Sequence, residues 1–339
     1  MSFDVYELSK YPFLDSLKDF LRLNDFKIED LLKQPNEVLN AAIEKIKSLA
    51  EKKSESVYPP DIEIKRFVLS MYIVSHLGSF YIERFAERES KKLSKLLKEE
   101  DSEEIFKIAR SLISARIRRI ERRTKDPKFP TLMTYAMPIK DYLKYAAYLG
   151  DYNWSLAFHE IKGGEILLTS RELVRILEEA YRQWIIIKCN EMREIYTPEI
   201  DPLVEHLSKE LPLFRTRKFD EKVVYKGVDP PCMRILISDL KQGKKLSHMG
   251  NFSLAAYLRA IGYSVEETLE LFKNLPDFKE SVARYQIEHI YGLRGARKAY
   301  SVPSCLTLKA ANLCFPESPG CDNIKHPLQY LRKVKDGRK

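Results

Sequence analysis

The sequence predicts a mainly α fold: a helical N-terminal domain with a small α/β element, followed by a helical C-terminal domain. Three observations carry that expectation. Apolar residues recur at three- and four-residue spacing through most of the first two-thirds of the chain. One segment, around Gly163-Gly164, alternates instead. After Glu210 the long helical pattern stops, and prolines and short capped segments take over.

Taken in order, Val38, Leu39, Ala42, Ile43, Ile46 and Leu49 share one helical face over 36–51. Pro59-Pro60 break the chain, and Asp61 is placed to cap a long helix through Phe67, Met71, Val74, Leu77 and Ile82. Mixed charges over 87–104 suggest an exposed helical hairpin. Ala115-Arg-Ile-Arg-Arg-Ile-Glu-Arg-Arg follows, with Lys125 and Lys128 beyond. It reads either as a phosphate-binding stripe or as a helix end whose dipole favours cations. The spacing of Ile113, Ile117 and Ile120 favours the helix end. Residues 154–161 alternate weakly, Gly163-Gly164 offers a hairpin turn, and Ile166-Leu-Leu returns. Ser170 is placed to cap an amphipathic helix from Glu172 to about Met192, on which Cys189 reads as a buried apolar thiol. Pro212, the basic run 215–218, Gly227 and Pro230-Pro231 mark a boundary between domains 1–211 and 212–339. Ser264-Val-Glu-Glu is a capping box ahead of Leu269, Leu271 and Phe272.

The formal net charge is +9, and its distribution says more than its size. Residues 211–339 hold 23 Lys+Arg against 13 Asp+Glu, whereas 1–210 hold 35 against 36. The basic excess therefore lies in the C-terminal third, which fits a polyanion partner. A solvated surface with a basic tail over 331–339 fits as well. Charges interrupt the first twenty residues and every later apolar run, so neither a signal peptide nor a membrane span is expected. A cytoplasmic location follows. There the five cysteines are expected as thiols or metal ligands rather than disulfides.

Four of those cysteines have the spacing C-x72-C-x8-C-x6-C: Cys232, Cys305, Cys314 and Cys321. No pair has the C-x2-C form usual in structural zinc sites. Prolines flank each one: Pro230-Pro231, Pro303, Pro316 and Pro319. Cys-Phe-Pro-Glu-Ser-Pro-Gly-Cys is a poor helix or strand, which favours metal ligation over burial in a core. Spacing leaves zinc and an iron–sulfur cluster open.

No Gly-rich phosphate loop and no Ser–His–Asp arrangement is legible, so no catalytic residue is assigned. The C-terminal domain offers cations and aromatics instead: Lys244, Lys245, His248, Tyr257, Arg259, Arg284, Tyr285, His289, Tyr291, Arg294, Arg297, Lys298 and Tyr300. Cations neutralise phosphates and aromatic faces stack on bases. Tyrosines at helical spacing also fit a core.

Ordered motifs now become recognisable. Pro230-Pro-Cys-Met-Arg is followed by Leu246-Ser-His-Met-Gly-Asn and Tyr257-Leu-Arg-Ala-Ile-Gly. Tyr285-Gln-Ile-Glu-His-Ile-Tyr-Gly, Tyr300-Ser-Val-Pro-Ser-Cys, Cys321 and His326-Pro-Leu-Gln-Tyr complete the set. Residues 230–330 resemble the large subunit of the archaeal and eukaryotic-type DNA primase. The resemblance implies a [4Fe–4S] cluster on Cys232, Cys305, Cys314 and Cys321, hence a C-terminal iron–sulfur domain. It implies a heterodimer with a catalytic small subunit, on which the N-terminal domain docks, and leaves room for a further subunit. It implies that the C-terminal domain helps bind single-stranded DNA template, RNA primer and the initiating nucleotide during primer synthesis in DNA replication.

Carried onto this chain, Lys245 and His248 match the nucleotide-contacting segment of the eukaryotic relatives. Tyr257 and Arg259 match the aromatic and basic residues of the stretch after it. Those relatives have arginines where this chain has Ser247 and Asn251. That either removes the triphosphate contact here or shares it with Lys244 or Arg297. Arg284, His289, Arg294 and Tyr300 complete the expected nucleic-acid contacts. Tyr152 and Trp154, beside the α/β element, are the expected partner interface. Two other readings remain: a stand-alone iron–sulfur enzyme acting on nucleic acid, and a zinc-bound scaffold.

Overall fold

A computed structural model describes residues 4–49, 56–123, 132–149, 152–211, 229–295, 298–314 and 320–336. Residues 4–149 and 153–211 form one compact unit and 229–336 a second, each around its own apolar core. The boundary segment 212–228, Lys125, Lys128, Arg297, Pro316 and Pro319 lie outside the described residues.

The first unit opens with α1 (Val5–Lys10), α2 (Ser16–Leu23) and α3 (Ile28–Lys33). Asn36 caps α4 (Glu37–Lys47) by accepting from the Leu39 N–H. Pro60 occupies the first position of α5 (Pro60–Leu77), where a missing N–H is harmless. Asp61 therefore sits in the first turn instead of capping it. Gly78, at φ 112, ends α5 and leads into α6 (Ser79–Glu99). Asp101 caps α7 (Ser102–Leu112). The charged stretch 87–104 is thus no exposed hairpin: α6 runs through most of it and buries Glu87 and Glu89.

The largest correction concerns 115–123. They form no helix end: after a turn at 115–116, Arg118–Arg123 make an edge strand. β1 (Arg118–Arg123), β2 (Leu132–Pro138), β3 (Ile161–Lys162) and β4 (Glu165–Leu168) make an antiparallel sheet ordered β1-β2-β4-β3. Tyr135, Ala136 and Met137 of β2 supply the burial that β1 lacks. The β1 arginines are held by acids of neighbouring elements: Arg118 by Glu165, Arg119 by Glu103, and Arg122 by Glu160 at 2.6 Å. Among the described side chains of this stretch, Arg116, Arg118, Arg119 and Arg122 each pair with an acid, which counts against reading it as a free phosphate stripe. The hairpin at Gly163-Gly164 forms as expected, but Trp154 and Phe158 lie in short 3-10 turns before it.

β2 leads into α8 (Ile139–Ala146). α9 (Ser170–Arg193) is capped by Thr169, one residue before the expected Ser170. Thr169 and Glu172 form a reciprocal capping box. Its buried face, including Leu173, Leu177, Tyr181, Ile185 and Cys189, packs on α5 and α6. α10 (Ile200–Glu210) closes the unit. Buried cations here are paired, as burial demands. Lys45 meets Glu89 at 2.9 Å, and Arg66 meets Glu63 at 2.8 Å and the Ala41 carbonyl at 3.0 Å. Burial works to raise the Glu63 carboxyl, but Lys45, Lys92 and Arg66 outweigh it and hold it low.

The second unit comprises α11 (Pro231–Lys241), α12 (His248–Ala260), α13 (Val265–Phe272), α14 (Glu280–Ile290), α15 (Cys305–Ala310) and α16 (Pro327–Asp336). The Ser264–Glu267 capping box opens α13 as expected. Met233, Leu236, Leu254, Leu258, Leu269, Phe272, Ile287 and Leu308 form the shared core.

Candidate metal centre and nucleic-acid interface

Each of the four C-terminal cysteines is delivered by a local stop or start in the chain. Cys232 is the second residue of α11, after Pro230-Pro231. Cys305 is the first residue of α15, whose cap Ser304 accepts from the Thr307 N–H. Cys314 follows Asn312, at φ 55, where α15 ends. Cys321 follows Gly320, at φ 83. All four line one cavity of about 60 Å³, with Pro230, Pro231, Lys309, Ile324, Pro327 and Tyr330.

Backbone bonds lock the loops together. The Cys305 N–H donates to the Lys325 carbonyl at 3.0 Å. His326 Nδ1 accepts from the Leu328 N–H, so its Nε2 carries the proton and donates to the Val302 carbonyl at 2.9 Å. Gln329 Oε1 accepts from the Lys325 and His326 N–H groups, satisfying donors at the start of α16. His326-Pro-Leu-Gln is therefore a clip that holds the approach to Cys305 against the chain after Cys321. The sequence showed it only as a motif without a role.

Burial pushes the Cys232 thiol up to about 12, and the other three cysteines add to the effect. Burial also raises Cys305, with Cys314 and Cys321 adding and Lys309 opposing. Mutual repulsion of this kind places the four sulfurs within electrostatic reach of one another. Among the described residues, no three His, Cys, Asp or Glu side chains are arranged to hold a single metal ion. The thiols face one cavity without closing on one point. As a donor set, four thiols and a proline-walled cavity fit either a cluster or a softer metal.

The expected nucleic-acid residues fall into three groups. Lys244, Lys245 and His248 stand at the start of α12. Lys244 pairs with Asp239 at 3.0 Å, Lys245 lies 3.8 Å from Asp277, and His248 is exposed. Ser247 caps α12 by accepting from the Gly250 N–H, and the buried Asn251 Oδ1 has no partner.

His289, Tyr300 and Arg294 form the second group, a continuous row with Tyr285 and Phe252. Tyr285 stacks on His289 with ring centres 6.3 Å apart. His289 lies 5.4 Å from Tyr300, which meets Phe252 edge-on at 5.5 Å. The Arg294 guanidinium sits 5.4 Å above the Tyr285 ring and pairs with Glu288. Two glycines make this row possible. Gly292 has φ 78, and a Cβ there would come within 2.6 Å of the Ala299 nitrogen. Gly295 has φ 65, and its Cβ would press on the His289 ring. Tyr285 and Tyr300 are exposed, so part of the row faces solvent.

Tyr257, Arg259 and Arg284 make the third group and sit elsewhere. Tyr257 is fully buried and offers no face for stacking. Arg259 is half-buried, and Arg284 pairs with Glu266 and Glu280. Arg297 and the side chain of Tyr152 lie outside the described residues. Trp154 is half-buried against the first unit's core, and Tyr142 donates to its carbonyl at 2.8 Å. The exposed apolar surface near that turn belongs instead to Tyr148 and Phe158, which the alternation pattern did not single out.

Fold and site define a mainly α protein of two units, the second built around a four-thiol cavity. Residues 222–336 match the family model for the C-terminal domain of the eukaryotic and archaeal DNA primase large subunit. The chain is 30% identical over 348 residues to the DNA primase large subunit PriL of Methanococcoides burtonii, covering 97% of this chain and 92% of the relative. It is 29% identical over 341 residues to that of Methanocella arvoryzae, covering 97% and 89%. With that of Archaeoglobus fulgidus it shares 30% over 278 residues, covering 81% and 69%. The chain belongs to the DNA primase large subunit family. Among the described residues no helix is long and apolar enough to cross a membrane.

Proposed function

We propose that this chain acts in a DNA primase complex as the subunit that steadies and regulates a catalytic small subunit and helps bind template and initiating nucleotide. We assign it a [4Fe–4S] cluster on Cys232, Cys305, Cys314 and Cys321. The observation that carries this reading is the convergence of four thiols, two of them separated by 72 residues, on one cavity. When bound, the cluster supplies a rigid cross-link between the start and end of the second unit. Burial favours the neutral thiol at Cys232 and Cys305, so a metal held there would require their deprotonated form.

The chain's own residues then act by binding. Lys244, Lys245 and His248 lie at or just before the N-terminus of α12, where cations and the helix dipole favour phosphate. Tyr285, His289 and Tyr300 offer faces for bases, with Arg294 neutralising charge. Holding template and nucleotide beside a partner's active site lowers the entropic cost of the first joining step. Tyr148, Trp154 and Phe158 are the proposed contact with that partner.

The test is anaerobic purification followed by iron, sulfide and zinc analysis. Iron and acid-labile sulfide in equal amounts, with a broad band at the blue end of the visible, are expected. Zinc without iron would overturn the assignment. With the small subunit added, Cys305→Ser should weaken the first dinucleotide step more than elongation; equal loss of both would remove the initiation role.

A further inference from the structure

Asp229 is 2% exposed, and the Tyr257 hydroxyl donates to its Oδ1 at 2.6 Å. The two residues are 28 positions apart, one just before α11 and one within α12. A buried carboxylate needs a donor. Among the described residues, Tyr257 is the side chain that donates to it.

The placement of Asp229 gives this bond a consequence. Pro230 and Pro231 follow immediately and carry no N–H, and α11 begins without a side-chain cap. No side-chain cap of its own therefore holds the entry to α11. Cys232 comes next, half-buried against the core that contains Tyr257 and Met233. A shift of Asp229 moves the Pro-Pro pair as a stiff lever, and the thiol moves with it.

We infer that Tyr257 is a positioning residue for Cys232: its hydrogen bond to Asp229 pins the entry of α11 and fixes that thiol in the four-cysteine cavity. The consequence for iron retention rests on the cluster assignment above; the placement of the thiol does not.

The experiment uses the full-length chain. In metal-free protein, N-ethylmaleimide labelling is followed peptide by peptide with mass spectrometry. Tyr257→Phe strands the buried carboxylate, so Cys232 should label about tenfold faster while Cys314 and Cys321 stay within about twofold. Asp229→Asn keeps an acceptor for the hydroxyl and should label like the native chain. Asp229→Ala removes the acceptor and should reproduce the selective rise, which decides the matter where Tyr257→Phe does not fold. Leu269→Ala, a cavity in the same core, serves as the control for general loosening. The inference is overturned by unchanged Cys232 labelling, by an equal rise at all four cysteines, or by the same Cys232-selective rise in Leu269→Ala.

In iron-loaded protein, Tyr257→Phe should lose its visible band to a chelator about tenfold faster, and Asp229→Asn should not. A native chain that carries no iron would sink the cluster assignment, and the labelling arm would still decide the role of Tyr257.

Discussion

Two cysteines show how one residue type serves two ends. Burial pushes both Cys189 and Cys232 up to about 12. At Cys189 burial acts alone, on a helix packed inside the first unit. At Cys232 three further thiols contribute, which marks a shared site. For Cys189 the neutral form is favoured on folding, so its stabilisation is complete below pH 9 and is lost as pH rises toward about 12. Urea unfolding of Cys189→Ala should therefore show a flatter alkaline decline than the native chain. The difference should approach about 1.4 kcal/mol per pH unit within that window. The aromatic row makes a second prediction at this scale. Tyr285→Ala should weaken single-stranded template binding by about 1–3 kcal/mol, while Tyr285→Phe leaves it nearly unchanged, as read by fluorescence anisotropy. Equal loss in both variants would remove the stacking role.

Among the elements, α9 organises the first unit because it satisfies both its end and its face. Its capping box closes two N-terminal donors, and its apolar side meets α5 and α6. Thr169→Ala should cost about 1 kcal/mol in chemical unfolding, and Thr169→Ser should restore most of it. β1 behaves in the opposite way. Its own residues bury little, and it exists because β2 offers a ladder and Glu103, Glu160 and Glu165 receive its arginines. The clip at His326 and Gln329 works across elements. It joins the chain before α15 to the start of α16, and so holds Cys305 and Cys321 on one cavity.

At the scale of the whole molecule, two separate cores imply two folding units. Only the second carries the four-thiol cavity. With the proposed cluster in place, calorimetry should show two transitions, and chelation should lower one of them while leaving the other in place. A uniform shift of both would contradict independent cores. The charge asymmetry belongs to this scale too: the basic excess and the four-thiol cavity occupy the same third of the chain.

The long helices were legible because their apolar spacing is a local property, and the Ser264 capping box before α13 was legible for the same reason, whereas Asp61 and Ser170, expected as caps, stand in the first turns of α5 and α9. The family motifs were legible because cysteines, prolines and glycines stand in fixed order. What the chain's own pattern could not reveal was long-range. The strand at 118–123 depends on a ladder with 132–138 and on acids up to 47 residues away. Tyr257 was expected as a nucleic-acid contact from its place in the family motif, because a tyrosine's spacing does not say whether its hydroxyl has a buried acceptor. Sequence alone determined the helical character, the family and the four candidate ligands. Tertiary structure decided that those ligands face one cavity, that His326 and Gln329 clip its loops, and that Tyr257 holds Asp229 inside the core. Each of those outcomes requires residues far apart in the chain to meet, and only packing brings them together.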